Sequence, residues 1–215
     1  MTSSIDVVPV AYDSPDPAVI ERAASLLRGG SLVVAATDTL YGLLARADDP
    51  AAVTRVCDAK QRSRDLPMAI FVDGVEAMPR FAEVTPEASA LASRFLPGPV
   101  TLVLTSVLTR EPPVVVDGRI GLRVSSSPVI QALLGRADFP LTATSANLTG
   151  QGGGETVRDV SAALGSRVSL LLDCGRLTSA PSTVVDCSTD PVRVLRAGAV
   201  SQDEIATALK DICCE

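Results

Sequence analysis

Short apolar runs alternate along this chain with amphipathic stretches, and Pro, Gly and hydroxyl residues mark the boundaries between them. Asp16-Pro17 predicts a helix start, with Pro in the first turn where its missing N–H costs nothing; the helix runs to about Arg28 and stops at Gly29-Gly30. Residues 31–36 (SLVVAA) predict a buried strand that empties into Thr37-Asp38-Thr39-Leu40-Tyr41-Gly42. Asp49-Pro50 starts a second helix with Val53, Val56 and Cys57 on its apolar face. Lys60 closes it, so 60–67 is a polar loop at a helix C-terminus, and 68–72 is the next strand. Thr85-Pro86 opens a third helix that ends near Leu96-Pro97-Gly98-Pro99, where Pro on both sides of Gly forces a sharp turn. Strands follow at 100–106 and 120–124, a short helix at 128–134, and a short strand at 141–143 that ends in Thr144-Ser145-Ala146-Asn147. A Gly-rich loop at 150–154 leads to a helix at 157–164 and a strand at 168–173. Two more strands, 183–187 and 192–195, are joined by a turn at Asp190-Pro191. Ser201 with Glu204 forms a capping box for a last helix, and Val200 with Ile205 fits a hydrophobic staple.

Strands and helices alternate irregularly, which predicts a layered α/β domain with a mixed sheet. No internal repeat and no linker rich enough to split the chain is visible, so 1–215 is expected to be one domain. With 47% hydrophobic and 20% charged residues the chain is globular rather than disordered. A net charge of -6 speaks against wholesale coating of nucleic acid but leaves room for a local basic groove. Aromatics are only 3%, without Trp, so base-stacking platforms are not expected.

The absence of histidine removes Ser-His-Asp and Cys-His catalysis and every His-ligated metal site. Cys57, Cys174, Cys187, Cys213 and Cys214 form no CxxC pair, so structural zinc is not expected; their odd number and wide spacing fit reduced thiols. No apolar run approaches the ~18 residues needed to span a bilayer. The N-terminus lacks the basic region and apolar core of a signal peptide, so the expected compartment is the cytoplasm, away from membranes.

Candidate chemistry gathers after strand ends, where open sheets place their ligands. TSAN offers adjacent hydroxyls and an amide, and Lys60 and Arg62 add two cations, a set that suits a polyanion such as a nucleotide triphosphate. Each also has a plainer reading, TSAN as ordinary turn chemistry and the cations as a response to a helix dipole. Arg119 and Arg123 flank Ile120-Gly121-Leu122, and in a strand this spacing puts both on one face. An Arg on a buried strand needs an anionic partner, which could be Asp117, another core acid or a substrate carboxylate. Ser182-Thr183 precedes one late strand and Arg196 ends another. Asp38 could cap a turn or orient a substrate amine. No GxxxxGK[ST], GxSxG or GxGxxG motif follows a strand, and Gly152-Gly153-Gly154 could either wrap a phosphate or simply be a flexible loop.

Taken together, the segments resemble the YrdC family, the threonylcarbamoyl-adenylate synthases, from about Ala11 to Ser201. The family's P-T-[DE]-T-x-Y-G-[LI] stands here as Ala36-Thr37-Asp38-Thr39-Leu40-Tyr41-Gly42-Leu43, and its K-x-R as Lys60-Gln61-Arg62. Its P-G-P-x-T stands as Pro97-Gly98-Pro99-Val100-Thr101, and its S-A-N-x-S-G as Ser145-Ala146-Asn147-Leu148-Thr149-Gly150. Its S-T-[VI]-V-D is Ser182-Thr183-Val184-Val185-Asp186, and its L-R-x-G is Leu195-Arg196-Ala197-Gly198. The resemblance implies a three-layer fold, a twisted mixed sheet curved around a deep basic groove. It implies synthesis of threonylcarbamoyl-AMP and pyrophosphate from L-threonine, bicarbonate and ATP, for threonylcarbamoyl-adenosine modification of tRNA. Arg62, Ser145 and Arg196 would then hold ATP, with Lys60 and Asn147 on phosphate or pyrophosphate. Thr39, Arg123, Ala143 and Ser182 would line the threonine pocket, with Arg123 on the carboxylate. Magnesium would arrive on the triphosphate, since no acidic cluster marks a protein cage.

The chain departs from the family pattern at Ala36, Leu44, Ser63, Leu66, Ser125 and Ser127, where Pro, Gly, Pro, a polar or basic residue, Pro and His are usual. The Leu66 change implies a lost nucleotide contact and the Ser127 change a reshaped threonine side. The alternatives left open are a paralogue adenylating another carbamate and a non-catalytic RNA-binding module. The chain ends 19 residues after Arg196, like the short single-domain family members, which would need partner proteins to pass the adenylate to tRNA.

Overall fold

A computed structural model describes residues 5–109, 113–151 and 154–212. Cys213, Cys214, Gly152 and Gly153 lie outside the described residues. Among those described, ten strands form one sheet: β1 Asp6–Pro9, β2 Val33–Ala36, β3 Tyr41–Leu44, β4 Ala69–Phe71, β5 Val100–Thr105, β6 Arg119–Arg123, β7 Leu141–Ser145, β8 Leu170–Asp173, β9 Thr183–Asp186 and β10 Arg193–Arg196. The spatial order is β1-β8-β2-β3-β7-β4-β6-β5-β9-β10. Parallel pairs (β1/β8, β2/β8, β4/β6, β5/β9) mix with antiparallel ones (β2/β3, β3/β7, β4/β7, β5/β6, β9/β10), so the expected mixed sheet is present.

The helices are α1 Pro17–Arg28, α2 Pro50–Lys60, α3 Pro86–Phe95, α4 Pro128–Ala137, α5 Val157–Leu164 and α6 Gln202–Ile212. The first four start alike. A side-chain oxygen of Asp16, Asp49, Thr85 or Ser127 accepts a first-turn N–H, and Pro follows at once with its φ already helical. The capping box at Ser201 and Glu204 is formed, and the staple residues Val200 and Ile205 are buried in one cluster. Helix α4 runs three residues past the predicted end and stops at Asp138, whose φ of 64° turns the chain. Strands β1 and β3 carry too few residues, and in β3 an interior Gly42, to show a period; both went unpredicted.

The alternation of side chains decides where the helices lie. Along β2, Val33 and Ala35 face the cluster under α1 and α4, while Val34 and Ala36 face the one under α2 and α5. This half of the sheet is therefore covered on both faces. In the other half, Leu102, Leu104, Ile120, Leu122 and Val185 pack under α3 and α6. Their neighbours in sequence, Thr101, Val103, Arg119, Gly121, Arg123 and Val184, point to the opposite face, which none of the described helices covers. That bare face is the wall of a cavity. Gly121 is needed on it: a Cβ there would stand 2.9 Å from the Cβ of Ala69 on the neighbouring β4.

Candidate active site

The cavity has a volume of about 520 Å³ and sits where the covered half of the sheet meets the bare half. Thr39, Lys60, Arg62, Arg123, Ala143, Ser145, Asn147, Ser182 and Arg196, singled out from scattered segments, all line it. Arg119 lines it as well, so five cations face one cavity, and no carboxylate is among its described lining residues. An overall acidic chain thus carries a basic interior surface.

The cations fall into two groups. Arg123, 6% exposed at its side chain, is paired with Asp38 at 2.9 Å. Its Nη2 also reaches Thr39 Oγ1 at 3.3 Å, its Nε donates to the Gly98 carbonyl at 3.3 Å, and its guanidinium stacks over Phe71 at 5.6 Å. Asp38, not Asp117, is therefore the core acid that compensates Arg123; Asp117 lies 3.6 Å from Arg119, which also reaches Asp186 at 3.4 Å. Ser125 donates to the same Asp38 oxygen, while Asp38 Oδ2 is buried with no hydrogen-bond partner among the described residues. Three motifs converge on this pair. The Thr37-Leu40 turn, closed by Thr37 Oγ1 donating to the Leu40 carbonyl at 2.7 Å, presents Asp38 and Thr39. The Pro-Gly-Pro turn brings the Gly98 carbonyl, and β6 supplies Arg123.

Lys60, Arg62 and Arg196 form the second group, and among the described residues none of them has a carboxylate partner. Lys60 is the last residue of α2 and is 2% exposed. Its ammonium donates to the carbonyls of Ser145 and of Asn147, the latter at 2.7 Å, and to Asn147 Oδ1 at 3.2 Å. Burial, with a smaller push from Arg62, brings its pKa down to about 8. Gln61, at φ 50°, ends the helix in the left-handed region and turns Arg62 into the cavity. Arg62 Nη2 donates to the Pro67 carbonyl at 2.5 Å, but its Nε is buried with no hydrogen-bond partner among the described residues, and burial lowers its pKa. Arg196 donates through Nε and Nη2 to the Ser182 carbonyl and through Nη2 to Ser182 Oγ at 2.9 Å; burial and the neighbouring Arg123 lower its pKa. Gly198 makes this contact possible, because a Cβ there would lie 2.2 Å from the Pro181 carbonyl oxygen.

The polar side chains of the lining bond to these cations and to one another. Ser145 Oγ donates to Asn147 Oδ1, and Asn147 Nδ2 donates to the Gln151 carbonyl. Ser182 Oγ is 3.2 Å from Thr101 Oγ1. An apolar wall of Met68, Phe71, Val116, Val184 and Leu195 completes the lining, and sequence reasoning did not name it. Its strand members share the face of Arg119 and Arg123, so extending their period of two to the paired strands would have found Val103 and Val184.

None of the six departures from the family pattern is among the lining residues, although Ser125 donates to Asp38 beside Arg123. Ala36 and Leu44 are fully buried in the core clusters, Ser63 Oγ turns to Asp65, and Leu66 is 42% exposed on the outer side of its loop. Ser127, fully buried, donates to the Ala36 carbonyl at 2.8 Å and caps α4. It serves the layer behind the site.

The sequence profile of the family described as telomere recombination (Sua5, YciO and YrdC) matches residues 25–198. The chain belongs to the Sua5/YciO/YrdC family. A threonylcarbamoyl-AMP synthase of Bacillus subtilis is 31% identical over 197 residues, covering 90% of this chain and 57% of that protein. The structure of Pyrococcus abyssi Sua5 complexed with L-threonine superposes with a TM-score of 0.86 at 31% identity, covering 94% of this chain and 60% of that one. This chain thus spans little more than half of either relative. Escherichia coli YciO superposes with a TM-score of 0.85 at 26% identity and is covered over 98% of its length. Membership accounts for the six motif segments meeting at one cavity. Among the described residues no helix is long and apolar enough to cross a membrane.

Proposed function

We propose that this chain is a threonylcarbamoyl-AMP synthase that joins L-threonine, bicarbonate and ATP and releases pyrophosphate. The observation that carries this reading is the split of one cavity into two charge environments. Lys60, Arg62 and Arg196 present positive charge with no carboxylate partner among the described residues, which calls for a polyanion. Arg123 is already balanced by Asp38, which suits a small zwitterion whose own charges cancel. The names borne by the relatives, and the L-threonine bound to the Pyrococcus protein, support the same assignment.

In this reading Arg62, Ser145 and Arg196 hold the nucleotide, with Lys60 and Asn147 beside the phosphates and the departing pyrophosphate. Thr39, Arg123, Ala143 and Ser182 hold threonine. The Nε and Nη2 groups of Arg123 are engaged with protein, and the two N–H groups of Nη1 are left for the substrate carboxylate. The threonine amine and bicarbonate give a carbamate with loss of water. A carbamate oxygen then attacks the α-phosphorus of ATP, forming the O–P bond as the bond to pyrophosphate breaks. No protein nucleophile is needed, so the chain contributes orientation and stabilisation of phosphate charge. In this reading magnesium enters on ATP, held by the phosphates and water. The adenylate then passes to tRNA through proteins of the modification pathway.

The test is pyrophosphate release from ATP and bicarbonate with each of the twenty amino acids in turn. A signal with L-threonine alone is expected. A signal with a different amine would move this chain to a paralogous carbamate adenylation, and no signal with any of them would remove the synthase reading.

A further inference from the structure

A second recess, of about 510 Å³, opens where the turn after α1, the outer residues of α2 and the approach to β8 meet, and it shares no described lining residue with the candidate active site. Two guanidiniums line it, each tethered by a backbone carbonyl. Arg55 Nε donates to the Gly30 carbonyl at 2.8 Å, and Arg167 Nη1 donates to the Ala59 carbonyl at 2.5 Å. Gly30 lets Arg55 lie this close, since a Cβ there would stand 2.3 Å from Arg55 Nη2. A tether through one N–H leaves the rest of each fork to a ligand. Among the described residues, Nη1 of Arg55 and both Nε and Nη2 of Arg167 have no hydrogen-bond partner. The hydroxyls of Ser31 and Ser169 line the same recess and are likewise without one. The Ser169 amide donates to the Leu32 carbonyl at 3.0 Å, so the two serines sit on neighbouring backbone. Two carboxylates stand close by: Asp49 meets Arg55 Nη2 at 3.7 Å, and Asp58, in the lining, meets Arg64 at 3.6 Å. Three guanidiniums thus face two carboxylates, and Arg167 has no carboxylate partner among the described residues.

We propose that this recess is a second binding site, for the phosphate group of a small ligand, with Arg55, Arg167, Ser31 and Ser169 as its donors. Guanidinium forks recognise phosphate oxygens through paired, charge-assisted N–H bonds. A carboxylate ligand would bring two oxygens to four donor side chains, whereas a phosphate group brings three or four. The recess is larger than a phosphate ion needs, which leaves room for the rest of a small ester. A nucleic-acid strand fits less well. Its run of phosphodiesters would have to pass Asp49 and Asp58 on a chain of net charge -6.

The test follows the backbone amide signals of the whole chain while inorganic phosphate replaces chloride at constant ionic strength. The amides of Ser31 and Ser169 report on the recess, and those of Ser145 and Asn147 on the candidate active site, so binding at one is not mistaken for binding at the other. A saturable shift at Ser31 and Ser169 is expected. Arg55→Gln and Arg167→Gln should each weaken it at least ~10-fold, the loss of a charge-assisted hydrogen bond. Ser169→Ala leaves both tethered guanidiniums in place and should weaken it about fivefold, the loss of a neutral one. The response of Ser145 and Asn147 to phosphate should be the same in Arg55→Gln as in the wild type. Glycerol 3-phosphate then separates the sources: tighter binding than inorganic phosphate assigns the recess to an ester, equal or weaker binding to the free ion. Absence of a shift at Ser31 and Ser169 overturns the proposal, as does a shift that chloride alone reproduces or one that survives both arginine variants. A short RNA without terminal phosphate that moves these amides at lower concentration than phosphate does would give the recess to a nucleic-acid backbone and overturn the small-ligand assignment. None of these outcomes depends on whether the chain makes threonylcarbamoyl-AMP.

Discussion

At the scale of single residues, Arg123 and Arg62, which both line the cavity, differ in what already balances them. Arg123 and Asp38 are buried together, and removing one partner of such a pair costs about 3–5 kcal/mol because the other charge stays behind. Arg123→Ala would therefore confound binding with folding, all the more because Asp38 Oδ2 has no partner to begin with. Arg123→Lys keeps the charge opposite Asp38 but removes the planar fork. Its expected outcome is a threonine KM raised at least ~10-fold with the ATP KM near wild type, the loss of roughly one charge-assisted hydrogen bond. Arg62→Ala should do the reverse, raising the ATP KM and leaving the threonine KM and the urea midpoint nearly unchanged, since the side chain's one described hydrogen bond is to the exposed Pro67. Equal effects on both substrates in both variants would dissolve the division of the cavity. The sequence placed Arg123 on the right face through its spacing from Arg119 but could not choose its partner. Asp38 is 85 residues away, and only the folded turn brings it to 2.9 Å.

At the scale of elements, Ser127 shows how a departure from a family pattern can be structural. Its hydroxyl donates to the Ala36 carbonyl and accepts from the Ile130 amide at the start of α4. Ser127→Ala removes an N-cap and strands a buried carbonyl, which together should cost about 1–3 kcal/mol in urea unfolding. The preference among amino acids should stay as it was; a change of preference would show that this layer does shape the threonine side. Helix starts were legible because cap and Pro are local signals, readable from adjacent residues. Strand β3 was not, although Tyr41 anchors it firmly: its hydroxyl donates to the Gly175 carbonyl at 2.7 Å and accepts from the Cys174 amide at 2.9 Å. Four residues around a glycine carry no usable alternation, and β3 exists because β2 and β7 flank it. The same limit hid the apolar wall of the site. Met68, Phe71, Val116 and Leu195 look like core residues until the uncovered sheet face is known.

At the scale of the whole molecule, a chain whose net charge is -6 even with its cavity cations counted encloses a cavity with five cations and, among the described residues, no lining carboxylate, and salt should separate the exterior from the cavity. At ~0.01 M ionic strength the screening length is about 30 Å, so an approaching triphosphate feels the acidic exterior as well as the cavity. At ~0.15 M it is about 8 Å, and the exterior fades while partly buried cations within a few ångströms of phosphate are screened much less. Repulsion and attraction are thus weakened in turn, and the ATP KM should vary by no more than about threefold across that interval. The threonine KM should not follow it, because a zwitterion meeting the balanced Arg123–Asp38 pair carries no net charge to be screened. An RNA-binding groove predicts a different curve. Neutralising six or more phosphates would cost about 10³ or more in affinity between 50 and 200 mM salt through counterion uptake. Measuring ATP and threonine KM alongside binding of a labelled tRNA over one salt series puts both curves on the same axis. A flat ATP curve with weak tRNA binding supports a cavity built for one nucleotide and one amino acid. A steep tRNA curve starting from tight binding at low salt would instead give the basic cavity to RNA.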